Sequence, residues 1–285
     1  MKPEILQVGR LGITLNRTLR IPDDGRTWPL PPGLGLLPFL RARDFPMRVP
    51  EDWLADDALF VPLYQREALW IGFQGNPWPP VAVQIETGGV NVLSAEIDAN
   101  SLKPAPQNYL VCPRQPWLDG INSGEGTIRQ FVATPRGSGH SIDAAIRAEE
   151  EKGGLRIAVF DPHPNCFPDE KPEPDLSSLP VPVAATGSEM GLGAGGVMTQ
   201  KIYPDPYGID VWQRQPSAEV NIRIVNSTHY HHITERSPPP SPIETRDYVA
   251  AGLPWFRLYD EHEGDIAPSP RLGELPSVPE QESDS

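Results

Sequence analysis

A glycine-rich stretch holds the residues whose spacing comes closest to a known chemical motif. In "EMGLGAGGVMTQKIYPDP", residues 189–206, Gly191, Gly193 and Gly196 have the G-x-G-x-x-G spacing that cradles a dinucleotide pyrophosphate. That chemistry needs a helix directly after the glycines, and the two prolines near the end of the stretch would break it within about seven residues. We therefore predict a glycine-rich turn that enters a strand, "VMTQKIY", and lets another backbone approach closely. No cofactor is expected.

The candidate metal ligands are histidines in "STHYHHIT". If the strand pattern of "EVNIRIVN" continues, His229 and His231 lie on one face of a strand about 6.5 to 7 Å apart, which permits both imidazoles to bind one metal. The same alternation places that face in solvent, opposite Ile222 and Ile224. A solvated polar face is the alternative, because no third ligand stands nearby.

The loop "QPWLDGINSGEG" carries the candidate residues for binding a small polar or sugar-like ligand. Trp117, Asp119, Asn122 and Glu125 combine an aromatic ring, an amide and two carboxylates in a turn-rich setting. Asp119 and Glu125 also form a possible acid and base pair, whose chemistry depends on their separation. The alternative is an ordinary loop in which Trp117 anchors to the core.

A second polar loop, "TPRGSGHS", holds Arg136, Ser138 and His140. Ser138 and His140 lack the G-x-S-x-G context of a nucleophile elbow. Arg136 and the neighbouring glycine backbone form a more plausible anion site, just before a predicted helix start at Ser141. These three residues complete the candidate ligand-binding set.

Composition limits the classes of partner. The formal charge is −14, and the stretch from Asp260 onward holds eight acidic residues and one arginine. Without a basic cluster, neither nucleic acid nor an anionic membrane is an expected partner. Two cysteines, no apolar leader and no apolar run of membrane-spanning length predict a cytoplasmic protein.

Patterns of period two indicate the elements that must position these residues. In "VAVQIE", Val81, Val83 and Ile85 face one way and the polar residues the other, as in a half-buried strand. Similar runs start near residues 11, 68, 90, 108, 127, 155, 197 and 219. Two helices are predicted, in "SIDAAIRAEEEKGG" and "SPIETRDYVAAG". The predicted fold is mainly β, an antiparallel β-sandwich or jelly roll with two or three short helices and a disordered acidic C-terminal tail.

The predicted organisation has four parts. A first β region covers 1–105 and a second covers 106–235, and one core shared by both regions is the alternative. A proline linker and short helix follow at 236–260, and the acidic tail covers 261–285. The proline-rich stretch 161–182 is expected to be a functional or mobile connection.

Several motifs together suggest a family. "LYQREALWIGF", "QPWLDGI", "IRQFVATPRGSGHS", "MGLGAGGVMTQKIYPDPYGIDVW" and "GLPWFRLYDE" resemble an uncharacterised protein family of bacteria and fungi, some of whose members are fused to a ubiquitin-like domain. This resemblance covers about residues 60 to 268. It implies an intracellular protein and a structural glycine stretch, and it carries no catalytic residues.

Three functional hypotheses follow. The first is a non-enzymatic binding or self-assembly module, with a protein partner or a second copy of itself. The second is an enzyme or lectin-like protein that uses Trp117, Asp119 and Glu125 for its ligand and Arg136 for an anion. The third is a metal-binding protein with His229 and His231 as ligands.

Overall fold

The computed structural model describes residues 4–75, 78–147, 153–168, 190–240, 245–250 and 264–279. Within these ranges the chain is mainly β, with sixteen strands and five short α-helices. The strands are β1 Leu6–Val8, β2 Leu11–Thr18, β3 Thr27–Trp28, β4 Gly33–Leu36, β5 Leu40–Arg41, β6 Leu59–Pro62, β7 Ala68–Gln74, β8 Val81–Thr87, β9 Val90–Asn91, β10 Leu110–Cys112, β11 Trp117–Leu118, β12 Gly120–Gly124, β13 Thr127–Pro135, β14 Leu155–Phe160, β15 Met190–Thr199 and β16 Ala218–Val225. The helices are α1 Glu51–Ala55, α2 Ile142–Arg147, α3 Ser227–Thr234, α4 Thr245–Ala250 and α5 Pro270–Gly273, and two 3₁₀ turns cover Ala42–Asp44 and Ile209–Val211.

The main strands form two half-sheets that meet at one residue pair. The first half-sheet has the order β1-β2-β7-β13-β15, and the second has the order β16-β14-β8-β10. They join where Met190 of β15 pairs with Ile224 of β16. Neighbours in this order are antiparallel, whereas the short strands β3 and β6 add to β15 and β16 in parallel. The prediction of a mainly antiparallel, sandwich-like β fold is confirmed.

Alternate residues of both half-sheets build one hydrophobic core. The inward-facing side chains are apolar and almost fully enclosed, as the period of two along a sandwich strand requires. They include Leu11, Ile13 and Leu15 of β2, Leu69, Ile71 and Phe73 of β7, Val81, Val83 and Ile85 of β8, and Leu155, Ile157 and Val159 of β14. Strands from both sides of residue 105 contribute to this core.

The outer face of β8 is also buried, contrary to the half-buried strand expected for "VAVQIE". All seven residues of β8 are buried, including Gln84 and Glu86. An apolar cluster covers part of this face, and it contains Ala82, Tyr109, Val111, Ala158, Phe160 and Trp212. The alternation of apolar and polar residues predicted the strand correctly. It could not predict that segments from distant parts of the chain cover the polar side of this strand.

Residues 264–279, the C-terminal strap, pack against the body of the protein. Leu272 and Leu275 belong to the central core, and Val278 packs against Ala68 and Val132. The prediction of a disordered tail from 261 onward is therefore wrong for these residues, because their spaced apolar side chains find a buried surface. The rest of the predicted tail lies outside the described residues.

The glycine-rich stretch lies inside β15 and not in a turn before it. β15 pairs with β13 along most of its length. At Gly193, a Cβ atom would overlap the Val278 side chain and the carbonyl oxygen of His140. The expected close approach of another backbone is thus present. The residues 200–208 that follow contain no helix, which removes the geometry a pyrophosphate site needs.

Three of the described helices bear on the sequence predictions. The helix predicted from Ser141 is present as α2, and the Ser141 hydroxyl caps it by accepting the Ala144 N–H at 3.3 Å. The second predicted helix is present as α4, while the first four and last two residues of the predicted segment "SPIETRDYVAAG" lie outside the described residues. The histidine segment is the helix α3 and not a strand. Tyr230 and Ile233 are buried apolar residues of this helix, at a helical spacing.

Candidate functional site

The predicted polar-ligand loop does not bring its residues together. Asp119 is enclosed, and it accepts a hydrogen bond from Gln200 Nε2 at 2.8 Å. Asn122 is buried, and its amide donates to the carbonyl oxygen of Ala267 in the strap at 2.9 Å. Glu125 is exposed in the turn between β12 and β13. Trp117 is partly buried and packs against the central core. The carboxylates of Asp119 and Glu125 therefore lie in different environments at the two ends of β12.

The second predicted loop is a locally hydrogen-bonded turn. Arg136 and Ser138 are exposed. The Ser138 hydroxyl lies 3.0 Å from the Thr134 hydroxyl and 3.4 Å from the backbone N–H of His140, which donates to it. His140 is half-buried, and its Nδ1 faces the interior without a hydrogen-bond partner among the described atoms. The serine and histidine side chains thus show no nucleophile–base hydrogen bond.

The helical form of α3 separates the predicted metal ligands. Residues two apart on a helix point to different sides, so His229 and His231 lose the common face that a strand would give them. His231 Nδ1 instead lies 3.1 Å from the carbonyl oxygen of Arg236. In the part of the chain that the structure describes, no group of three His, Cys, Asp or Glu side chains is close enough to hold a metal ion.

A polar cleft lies on the outer face of the second half-sheet. It has a volume of about 420 Å³, which is within the usual range of ligand pockets. The strands β8, β14 and β16 form its floor, and loops near residues 88 and 153 form its rim. Its polar lining consists of Glu86, Asp98, Asn100, Arg156, Glu219, Asn221 and Arg223.

The strand register places the floor residues beside one another. Arg156 of β14 pairs with Glu86 on one side and with Asn221 on the other. On the rim, Gly154 has a φ of +93°, and a Cβ there would overlap the carbonyl oxygen of Ile222. Only glycine permits this close approach of the rim to β16.

One arginine holds two carboxylates on the floor of the cleft. The Arg156 guanidinium donates to Glu219 Oε2 at 2.7 Å and to Glu86 Oε2 at 3.4 Å. Burial lowers the pKa of Arg156, but these two ion pairs outweigh it, so that the pKa lies above its ordinary value. Both acids thus face the same positive charge.

Two groups of this cleft have a buried polar atom without a partner. Glu86 is 3% exposed, and its Oε1 has no hydrogen-bond partner among the described atoms. Burial raises the pKa of Glu86, and the Arg156 charge lowers it only in part. Arg223 Nε likewise has no partner among the described atoms. Buried polar atoms without partners are costly.

Arg223 closes the other side of the cleft. It is buried, and its guanidinium donates to Asp56 Oδ2 at 2.6 Å and to the carbonyl oxygen of Gly153 at 3.4 Å. Asp52 lies 3.5 Å from the same nitrogen that binds Asp56. The charge of Arg223 is thus balanced by acids that lie outside the cleft lining.

A second cavity of about 300 Å³ adjoins the cleft. Glu219 and Asn221 line both spaces. Arg41, Asp56 and Asp57 supply the other charged groups of the second cavity, between β1 and the first half of β16. The two cavities therefore lie next to each other along β16.

Some of the cleft residues were placed by the sequence patterns on the polar side of a strand. Glu86 and Arg223 stand at the polar positions of alternating strands, and alternation alone cannot distinguish solvent from a lined cleft. One feature of the sequence could have indicated the cleft. Charged residues of both signs stand at the polar positions of three alternating strands. Their register, which makes Glu86 and Arg156 neighbours, was not readable from the sequence.

Comparison with models of known protein families, with curated proteins and with solved structures found no match. Among the described residues, no helix is long and apolar enough to cross a membrane. The functional argument therefore rests on the cleft itself.

Proposed function

We propose that the protein is a non-enzymatic β-sandwich module that binds a small polar ligand in the polar cleft. The observation that carries this proposal is a cavity of ligand size whose floor combines Glu86, Arg156, Glu219 and Arg223 from three neighbouring strands. Ligand sites commonly combine such a cavity with a few convergent polar groups.

The floor residues support binding of a polar ligand. Glu86 and Glu219 share the Arg156 guanidinium as a hydrogen-bond donor. The cleft thus places carboxylate acceptors and guanidinium donors side by side, as sites for small polar ligands commonly do.

The test is a ligand screen with two matched variants. We expect members of a panel of sugars, amino acids and amines to raise the melting temperature of the wild-type protein. Asn221→Phe fills the cleft and should abolish that shift. Glu125→Phe places the same ring in the predicted polar-ligand loop and should preserve it.

The same pair of variants distinguishes the two candidate sites. Loss of the shift in Glu125→Phe but not in Asn221→Phe would move the site to the Trp117 loop. If no member of the panel shifts the melting temperature, the proposed function is wrong.

The cellular setting and the partner belong to the same proposal. Cys112 and Cys166 are free thiols, as expected in the cytoplasm. β1 and β10 end the strand order, and edge strands favour association with another chain or a second copy. Native mass spectrometry of the purified protein should detect an oligomer, and a strictly monomeric spectrum would contradict self-association.

A further inference from the structure

We propose that a short extended peptide of a partner protein binds in the second cavity, where it pairs as an added strand with the backbone of Glu219 and Asn221. This inference goes beyond the proposed function, because it concerns another surface and another class of ligand. Three observations support it: an unpaired stretch on one edge of β16, the direction of the backbone groups in that stretch, and the apolar wall of the cavity.

One edge of β16 is paired along only half of its length. β14 pairs with residues 218–222, and β6 pairs with residues 222–225. Both strands pair with Ile222, so they lie on opposite edges of β16. Before β6 the chain turns aside at Asp57, whose φ is +44°. No described segment therefore pairs with residues 218–221 on the β6 edge, and these residues are exposed or half-buried, whereas 222–225 are buried.

The backbone groups of this stretch point to the unpaired edge. The carbonyl oxygen of Val225 accepts the backbone N–H of Leu63 at 2.8 Å, which places the Val225 groups on the β6 edge. Alternate residues of a strand direct their N–H and C=O groups to the same edge. Glu219 and Asn221 therefore present two donors and two acceptors there, at the repeat of about 6.5 to 7 Å that an extended peptide matches. Pairing of a peptide with such an edge is a common mode of recognition.

The second cavity lies along this stretch. Its lining includes Ala218, Glu219, Val220 and Asn221 of β16. The turn between β1 and β2 closes one end, because a Cβ atom at Gly9 would lie 3.3 Å from the Ala218 Cβ atom. β6 begins at the other end. The space beside β16 thus suits a short strand opposite residues 219–221.

The cavity wall determines which side chains the peptide needs. Val220 turns toward the central core, so the peptide residue beside it also faces inward. Leu6, Val8 and Leu59 line the cavity and favour an apolar side chain at that position. The flanking peptide residues face outward and should be polar.

The charged groups of the lining select no charge on the peptide. Asp57 is paired with Arg41 and Arg43, and Asp56 is paired with Arg223. A neutral peptide that alternates polar and apolar residues is therefore the expected partner.

The probe is a pentapeptide of the sequence Ser-Thr-Val-Thr-Ser with acetyl and amide caps, and NMR titration of the ¹⁵N-labelled full chain is the measurement. We expect saturable shifts of the Glu219 and Asn221 amide signals and slower hydrogen exchange of both amides, because each N–H gains an acceptor. The same peptide with N-methylated backbone amides keeps its side chains and loses its donors. It should not bind, and this comparison needs no protein variant.

Two variants of one residue test the role of the backbone. Asn221→Pro removes an N–H on the unpaired edge, where proline is tolerated, and leaves the pairing with β14 in place. Asn221→Ala removes the same side chain and keeps that N–H. We expect the peptide to bind Asn221→Pro about fivefold more weakly than Asn221→Ala, because one backbone hydrogen bond is lost. Circular dichroism and melting temperature verify the folding of both variants.

Four outcomes would overturn the inference. Equal affinity of the two Asn221 variants would mean that the backbone donor is not recognised. Equal binding of the N-methylated peptide would exclude strand pairing. A dimer that Asn221→Pro dissociates, without peptide binding to wild type, would assign the edge to a second copy of the chain. If neither the peptide nor a second copy binds, the stretch is an ordinary solvated edge. The ligand screen of the polar cleft is independent of all four results.

Discussion

Arg17 and Glu67 form an ion pair that is enclosed within the sandwich. Arg17 of β2 and Glu67, just before β7, are 1% and 2% exposed, and an Arg17 Nη2 hydrogen bond to Glu67 Oε1 joins them. Burial lowers the pKa of Arg17 to about 10 and raises the pKa of Glu67 to about 7, against the attraction between the two charges. Arg17 Nε and Nη1 have no hydrogen-bond partner among the described atoms. Such a pair is costly to bury and still more costly to break.

Removing one partner of this pair should therefore cost more than removing both. We expect Arg17→Met to lower the free energy of unfolding by about 3 to 5 kcal/mol, because Glu67 loses its counter-charge. The double variant Arg17→Met/Glu67→Leu should recover most of that loss. Urea unfolding of wild type, both single variants and the double variant measures the cycle. Equal stability of Arg17→Met and the double variant would contradict it.

Asp119 leads to a prediction about pH. Burial raises the pKa of Asp119 to about 7, and hydrogen bonds from Trp117 and Gln200 oppose this only in part. The unfolded state ionises near the ordinary value of about 4. The folded state therefore binds an extra proton between these values, and the contribution of Asp119 to stability is lost as the pH rises through about 7.

Asp119→Asn should remove this pH dependence. We expect the variant to be more stable than wild type at pH 8 by about 1 to 3 kcal/mol and to differ little at pH 4, where the wild-type carboxyl is neutral. Urea unfolding across this range gives the difference at each pH. Glu125→Gln, an exposed carboxylate on the same hairpin, serves as the control. A difference that does not vary with pH would refute a raised pKa.

At the residue scale, the sequence showed which side chains are polar or charged, but not which segments would surround them in the fold. Asp119 and Asn122 were predicted as ligand-binding residues because loops rich in polar and turn-forming residues often carry sites. Both instead bind neighbouring segments, Gln200 and the strap carbonyl of Ala267. Glu86 was assigned to a solvent face because its burial depends on cross-strand neighbours that a single sequence does not reveal.

The strap and β15 show how an element depends on its glycines. Arg129 of β13 is buried and donates to the carbonyl oxygens of Gly195, Gly273 and Leu275, so one guanidinium joins β15 to the strap. Beneath the strap, Gly193 leaves no space for a Cβ atom. In this chain the glycines of the G-x-G-x-x-G spacing thus allow β15 and its neighbouring segments to pack closely.

Arg129→Ala should release the strap while the sandwich stays folded. We expect faster amide hydrogen exchange in residues 264–279, because three backbone carbonyl groups lose a shared donor. Gly193→Val should have the same local effect through steric overlap with Val278. Arg136→Ala, at an exposed turn, is the control and should leave exchange in the strap unchanged. Unaltered strap exchange in both Arg129→Ala and Gly193→Val would contradict this role.

At the element scale, strands were more predictable than the segments that cross them. Alternation located β2, β7, β8, β13, β14 and β16, since each is apolar on its inner face. The same alternation was wrong for α3, where a helical spacing of Tyr230 and Ile233 determines the element. The strap was missed because its burial depends on Arg129, which is far away in sequence.

The two half-sheets bear on how the whole chain folds. β7 pairs with β13, and β8 pairs with both β10 and β14, so these hydrogen-bonded pairs cross the predicted boundary at residue 105. A fragment of residues 1–105 would keep β7 and β8 without those partners. It would also expose the inward side chains that meet Leu155 and Ile157 in the full chain.

We therefore expect the two pieces not to fold separately. Fragment 1–105 and fragment 106–285 should each lack a cooperative thermal transition by circular dichroism, whereas the full chain should show one. Mixing or coexpressing the two fragments should restore the transition, because the strands that close both half-sheets are then present together. A cooperative transition in fragment 1–105 alone would mean that its strands form an independent core, and the cleft floor would then combine strands from two separately folding units.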